Sequence, residues 1–210
     1  MKLHHLTSLI ATAAMLALQP MAAEKSAAAG SLSTIEKVRS DLVSLDSLVL
    51  ATSDALQRVK DSAKDPGELK KALGNFENQY SALEAKSENI RTAVVNMKAR
   101  TKEYHEKWLK ELENMQNPKL KEKATSRFTE VKEEFDKIME NGDEAKRAFV
   151  PYVADLKDVK TYLSADSTPD AVNSLSNTIW KLGNRSRSVS GGIRNVIEQI
   201  DHTLEKAPSK

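Results

Sequence analysis

The 210-residue chain contains no cysteine. Disulfide bonds, thiolate metal sites, a cysteine nucleophile and a lipid-anchoring cysteine are therefore excluded, and we expect packing alone to hold the fold. Aromatic residues make up only 5% of the chain, and with seven glycines and six prolines there are few turn residues. Charge of one sign is not in excess, because the formal net charge is +2. Nucleic-acid binding usually requires a basic stripe, so we expect no nucleic acid among the partners.

Only one long apolar run is present, and it lies near the start of the chain. Lys2 precedes an apolar stretch over residues 6–18, and small residues follow at Ala22 and Ala23. This order is typical of a secretory signal peptide, and the stretch is shorter than the roughly 20 residues that span a bilayer. We therefore expect residues 1–23 to be a cleaved signal peptide, with a cut after Ala29 as the alternative. The mature protein should be exported, in a bacterial periplasm, with no transmembrane helix.

Heptad spacing dominates the rest of the sequence, with apolar residues alternately three and four positions apart. Pro66, Pro118 and Pro169 interrupt the pattern at nearly equal intervals. Proline lacks an N–H and disfavours helix in the preceding residue, so each one predicts a helix boundary. A capping box at Ser33 and Glu36 predicts the first helix start. We predict a flexible segment over residues 24–32 and a helical domain over 33–206, with helices at about 33–64, 68–116, 118–164 and 169–206.

The third predicted helix contains two possible interruptions, Asn141–Gly142 and Pro151. The heptad pattern passes through both positions without losing its register. We therefore predict one bent helix, because proline inside a helix usually kinks it. A helix broken at Asn141 is the alternative.

Short turns make consecutive helices antiparallel neighbours, so we predict an all-α fold. Its architecture should be an elongated antiparallel four-helix bundle or coiled coil with up-down-up-down topology. At about 1.5 Å per residue, the first helix should end level with Lys98 and the fourth level with Val131. The longer hairpin of the second and third helices should then protrude as a tip.

Large apolar residues at the predicted tip form the first candidate interaction surface. The simpler interpretation is that they pack across their own hairpin. In the alternative they are partly exposed and bind a protein partner of unknown identity or a second copy of the chain, because large apolar groups are common interface anchors. These residues are Tyr104, Trp108, Met115 and Phe128.

A stretch of the fourth predicted helix has basic residues and no acids, and it forms the second candidate surface. It could make peripheral contact with a membrane or with an anionic cell-wall polymer. In the alternative interpretation, acids on a neighbouring helix neutralise it. The basic residues are Lys181, Arg185, Arg187 and Arg194.

Catalytic and metal-binding patterns are missing from the sequence. His105 and His202 lie outside the heptad positions, and neither follows a glutamate at the spacing of di-iron bundles, so we expect both to be exposed. Glu133 and Glu134 read as an ordinary solvated helix face. No nucleophile elbow and no phosphate-binding glycine loop is present. We therefore expect no catalytic residue, no cofactor, no metal and no enzyme activity.

A set of residues recurs in one order along the second half of the chain: Trp108, Asn117–Leu120, Phe128, Met139, Ala145, Pro151, Leu156 and Ala171–Leu175. This order resembles that of an uncharacterised bacterial family, domain-of-unknown-function family number 2959. The similarity covers most of the chain after about Ala55, but Pro151–Val153 replaces the Pro-Val-Leu step of the family, and residues 163–169 replace an Asn-rich turn. The resemblance implies a helical envelope protein and supplies no activity.

These features together favour an exported non-enzymatic protein that acts through its surface. We expect a scaffold or protein-interaction module in the cell envelope. A periplasmic chaperone that holds unfolded clients is one alternative, and a peripheral binder of anionic membrane or cell-wall surfaces is the other.

Overall fold

A computed structural model describes the backbone of residues 8–206 and the side chains of residues 29–206. That part of the chain is helical apart from short turns and has no strand, which confirms the all-α prediction. The predicted signal peptide and its cut concern residues whose side chains lie outside the described set, so cleavage stays a prediction. The helices are α1 (Ser8–Asp61), α2 (Pro66–Asn114), α3 (Pro118–Ala165), α4 (Pro169–Ser174) and α5 (Ser176–Lys206).

Each of the three boundary prolines occupies the start of a helix, and the residue before it caps that helix. This was predicted for Pro118 and Pro169, whereas Pro66 was expected only to end the first helix. The Asp65 carboxylate accepts hydrogen bonds from the backbone N–H groups of Gly67 at 2.8 Å and Glu68 at 3.1 Å. Asn117 and Thr168 cap α3 and α4 in the same way. These caps satisfy N–H groups that the first helical turn leaves without partners, so the boundaries follow from local chemistry.

Two helix boundaries differ from the prediction. Ser33 and Glu36 lie inside α1 rather than at its start, because the alanine-rich segment before them favours helix and does not interrupt it. The fourth predicted helix is divided at Leu175 into α4 and α5. There the Leu175 N–H bonds to the Val172 carbonyl at 3.1 Å, which tightens one turn before the α-helical pattern resumes.

Helix α3 runs without a break through Asn141–Gly142 and Pro151, which confirms a single helix and shows that the alternative break at Asn141 is wrong. Pro151 removes one backbone hydrogen bond, but its neighbour compensates. Tyr152 is fully buried, and its hydroxyl donates to the Val49 carbonyl oxygen at 3.3 Å. Tertiary burial of this side chain thus stabilises α3 where its local sequence is weakest.

All five helices contribute to one apolar core. Every heptad residue predicted for the first helix is buried, and fully burying such a side chain stabilises the fold by roughly 1.5–3 kcal/mol. The buried heptad residues of α1 are Ile35, Val38, Leu42, Leu45, Val49, Thr52, Leu56 and Val59.

Helices that contact each other run antiparallel, because later residues of one helix lie against earlier residues of the other. Helix α1 packs on α2 and α5, and α3 packs on α5 and α2. Ser31 lies 3.1 Å from Thr101 between their hydroxyl oxygens, and the Lys206 Nζ lies 2.9 Å from a Glu134 oxygen. The Lys206 contact agrees within one helical turn with the expected level of the α5 end at Val131. The expectation that the first helix ends level with Lys98 is wrong, because α1 begins at Ser8 and continues past Ser31, which makes it the longest of the five helices. No helix within residues 8–206 has a stretch apolar and long enough to cross a membrane.

Candidate interaction surfaces

Aromatic side chains near the end of the α2–α3 hairpin pack on one another. The Trp108 ring lies 5.3 Å from Tyr104 and 5.5 Å from Phe128 between centroids. Only 8% of Trp108 is exposed, while Tyr104 and Phe128 are half-buried. Edge-to-face and tilted contacts of this kind stabilise aromatic pairs beyond simple burial. Three of the four predicted tip residues thus follow the simpler interpretation and pack within the hairpin.

Different apolar residues are exposed near the α2–α3 turn. Leu109 is 45% exposed, Met115 36% and Leu120 58%. Met115 is the only one of these three in the predicted interaction surface, although Leu120 also lies in the predicted tip. Leu109 and Leu120 lie outside the heptad positions, and a large apolar residue at such a position was the available signal. We call these three residues the tip triad.

Charges beside the tip triad oppose the dipoles of their own helices. The last turns of α2 carry Glu111 and Glu113, and the final turn has no base. The first turn of α3 carries Lys119 and Lys121 and has no acid. Anions are favoured at helix N-termini and cations at C-termini, so both ends have the less stable arrangement.

Ion pairs within the described residues stop short of these charges. The pairs nearest the turn are Lys107 with Glu103 at 2.8 Å and Arg127 with Glu130 at 3.1 Å. No ion pair in the described part of the chain involves any charged residue from Lys110 to Lys123. The hairpin therefore presents an acidic edge on α2 and a basic edge on α3 without mutual neutralisation.

His105 is not exposed, contrary to the sequence prediction. Its ring packs 5.4 Å from Phe128 and 6.1 Å from Phe135, and its Nε2 atom is buried without a hydrogen-bond partner among the described residues. Burial lowers the pKa of His105 from its ordinary value of 6.5, and the nearby Asp136 charge opposes that shift while Lys132 adds to it. The prediction failed because α3 supplies an aromatic wall that the spacing within α2 does not reveal.

Glu134 is also not an ordinary solvated residue, since only 8% of it is exposed. Its oxygens accept from Lys206 Nζ at 2.9 Å, Lys137 Nζ at 3.2 Å and Gln199 Nε2 at 2.9 Å. His202 Nδ1 lies 3.2 Å from the same carboxylate, and about half of the His202 side chain is exposed, in line with the prediction. The Lys206 contact, with those of Lys137 and His202, lowers the pKa of Glu134 to about 2. This carboxylate holds the end of α5 against α3.

The basic stretch of α5 is neutralised at two of its four residues. Arg185 pairs with Asp155 of α3, and Arg194 pairs with Asp46 of α1 at 2.9 Å. Lys181 and Arg187 are exposed, and the described residues include no ion pair to either. The sequence could not place these acids, because Asp46 lies far away in the chain.

Trp180 is an exposed aromatic residue that sequence reasoning missed. It precedes Lys181 in α5, and 62% of it is exposed. Its position directly after the buried Ile179, outside the heptad pattern, was the signal that could have identified it.

Metal ligands do not converge within the part of the chain that the structure describes. No group of three or more histidine, aspartate or glutamate side chains there is arranged to hold a metal ion. The Glu134 cluster combines one carboxylate with lysines, and ammonium groups are hydrogen-bond donors that cannot act as ligands.

The chain was compared with the models of known protein families. The model of the family described as "Protein of unknown function (DUF2959)" matches residues 33–209, which is most of the chain. The chain belongs to the DUF2959 family. The resemblance noted from the sequence is therefore confirmed, and the match includes the tip triad, Glu134 and the α5 surface of this DUF2959 protein. No curated protein and no solved structure matches the chain.

Replacing Glu134 should destabilise the DUF2959 protein and alter its response to acid. We expect Glu134→Gln to lower the free energy of unfolding at neutral pH by about 1–3 kcal/mol, because charge-assisted bonds to Lys206 and Lys137 are lost. The control Glu133→Gln, at an exposed position, should change it by less than about 0.5 kcal/mol. Chemical denaturation of the three proteins measures both effects.

The pH dependence of that loss has a defined sign. The pKa of Glu134 falls from 4.5 to about 2 in the folded protein, so its stabilisation is complete above pH 4.5 and disappears as the pH falls toward 2. The difference between wild type and Glu134→Gln should therefore shrink over that range. A difference that stays constant would show that the charge of Glu134 is not the cause.

His105 should make the hairpin sensitive to mild acid. Because its folded-state pKa lies below 6.5, the unfolded chain binds a proton first, and stability should fall as the pH drops below 6.5. We expect His105→Leu to lose less stability than wild type between about pH 7.5 and about pH 5.5. Denaturation curves at the two pH values provide the test, and equal losses in both proteins would contradict the assignment.

Proposed function

We propose that this DUF2959 protein is an exported, non-enzymatic scaffold or protein-interaction module of the bacterial cell envelope. In this proposal the long helices form an up-down-up-down bundle, and the α2–α3 hairpin protrudes beyond it as the working tip. The contacts of α1 with α2 and α5, and of α3 with α5 and α2, support the bundle. The signal-peptide pattern over residues 1–23 supports export.

The exposed tip triad is the observation that carries the proposal. Exposed apolar side chains scattered singly over a surface are normal, but three around one turn form a surface that a partner can cover. Charged residues from Lys110 to Lys123 occupy the same stretch of sequence, and no ion pair among the described residues engages them, so we expect them to be available to another molecule. The main core needs none of these residues, since the tip triad lies outside it.

Site-specific photo-crosslinking in intact cells tests the tip as a contact surface. A photoreactive amino acid replaces Leu120 in one variant and Val95, an equally exposed residue of α2 away from the turn, in the control. We expect adducts from position 120 and few or none from position 95. Equal yields from the two positions, or no adducts at all, would contradict the proposal. Mass spectrometry of the same protein should find an N-terminus at Glu24 if the leader is removed.

A second candidate function is peripheral contact with an anionic surface through α5. The exposed Trp180 beside Lys181 and Arg187 supports it, because an aromatic residue with adjacent free cations is typical of segments that bind the membrane interface. Arg185 and Arg194 contribute less, since Asp155 and Asp46 already pair with them.

Vesicle sedimentation tests this second candidate. With vesicles rich in phosphatidylglycerol, we expect the double variant Lys181→Ala/Arg187→Ala to bind about thirtyfold more weakly than wild type, because each surface cation contributes about 1 kcal/mol near an anionic bilayer. The control is Lys70→Ala/Lys98→Ala, which removes two exposed lysines of α2 that are distant from Trp180 in sequence. Binding that does not depend on the anionic lipid would remove this candidate.

A further inference from the structure

We infer that the partner at the tip is a second copy of the same chain, docked tip to tip about a two-fold axis. This inference rests on the proposed function of the tip and adds the identity of its occupant. It follows from the way in which apolar and charged residues are divided between the two edges of the hairpin.

Charge on the tip is divided between its two helices. The α2 edge carries Glu111 and Glu113 with one base, Lys110. The α3 edge carries Lys119, Lys121 and Lys123 with one acid, Glu122. The two helix ends reinforce the division, because the C-terminus of α2 is the negative end of its dipole and the N-terminus of α3 is the positive end. The tip is therefore a two-signed surface.

A two-fold axis brings unlike edges together twice. In such an interface the same patch on each subunit contacts its counterpart, so the α2 edge of one copy faces the α3 edge of the other, and the reverse holds across the axis. The tip triad is exposed on the same stretch of the hairpin and would be covered in such an interface. The C-terminus of α2 would then lie near lysines of the second copy, and the N-terminus of α3 would lie near its glutamates. These are the charges that each helix dipole favours and that the adjacent turn of the same chain lacks.

A purely anionic surface fits the tip less well than a second copy does. Lys119, Lys121 and Lys123 would be attracted to lipid phosphates, but Glu111 and Glu113 on the other edge would be repelled. A second copy satisfies both edges at once. The self-complementary division of charge therefore selects the second copy among the possible occupants.

Three apolar side chains on a narrow tip bury little area, so the dimer should be weak and depend on protein concentration. We expect analytical ultracentrifugation of the wild-type protein, as isolated from the producing cell, to show a reversible monomer–dimer equilibrium at micromolar to millimolar concentration. A single monomeric species throughout that range would overturn the inference.

Charge reversal on each edge tests the arrangement directly. The first variant is Lys119→Glu/Lys121→Glu/Lys123→Glu, and the second is Glu111→Lys/Glu113→Lys. The first variant makes both edges of the tip acidic, and the second makes both edges basic. Like charges then face each other across the two-fold axis, so each variant alone should dimerise at least about tenfold more weakly than wild type. An equimolar mixture of the two should recover association as a heterodimer, because unlike edges face each other again. Failure of the mixture to associate would overturn the two-fold arrangement.

Misfolding cannot produce this pattern of results. The first variant places anions at the N-terminus of α3 and the second places cations at the C-terminus of α2, which are the signs that the helix dipoles favour. Both variants should therefore unfold at the same temperature as wild type or slightly higher. A variant that unfolds earlier would be replaced by its single-site versions, Lys121→Glu or Glu113→Lys, before association is judged.

Failure of this inference is distinguishable from failure of the proposed function. Adducts between two copies at position 120, together with the charge-reversal result, support tip-to-tip docking. Adducts only with another protein, in a chain that stays monomeric, overturn self-docking and leave the interaction tip in place. Vesicle binding by a monomer that the lysine reversal abolishes also overturns it, in favour of a lipid surface. Absence of any adduct removes both the inference and the proposed function.

Discussion

Burial of heptad side chains in one continuous core holds the helices of this chain together in the absence of any covalent cross-link. With no cysteine in the sequence, no disulfide or thiolate site can fix the helices, so their alignment depends on the apolar residues that face inward. Core residues such as Val49, Leu56, Tyr80 and Tyr152 are almost completely buried. Single helices of this composition would be only marginally stable in water, so most of their stability comes from this packing.

Polar groups at the edge of the core fix how the end of α5 is aligned on α3, which apolar packing alone does not determine. Glu134 receives contacts from Lys206, Gln199 and His202 of α5, and this cluster holds the end of α5 against α3. His105 performs no comparable pairing, since its buried Nε2 has no partner among the described residues. A carboxylate that requires charge and an imidazole that requires neutrality thus lie on the same hairpin, and they respond to acid over different pH ranges.

The α2–α3 turn follows a different rule from the rest of the molecule. Along the helices, acids and bases pair with each other, as Asp46 does with Arg194 and Asp41 with Lys86. At the turn, the charged residues make no ion pair with any described residue, and most have the signs that their helix dipoles disfavour. Local helix stability alone does not account for this arrangement. Sequences depart from local rules mainly at functional sites, and this departure is one ground for the interaction surface proposed above.

The sequence by itself determined the helical class, the three proline-capped boundaries, the heptad residues that α1 buries and the membership of the DUF2959 family. These features depend on neighbours within a few positions, so spacing and capping chemistry are enough to predict them. It did not determine that Trp108 would be covered, that Leu109 and Leu120 would be exposed, or that Asp155 would neutralise Arg185. Each of those facts depends on a side chain from another helix, and only tertiary packing sets which helices are neighbours and at which level they meet. Burial and charge pairing at a surface are properties of several helices together, which is why the candidate site needed the structure while the helices did not.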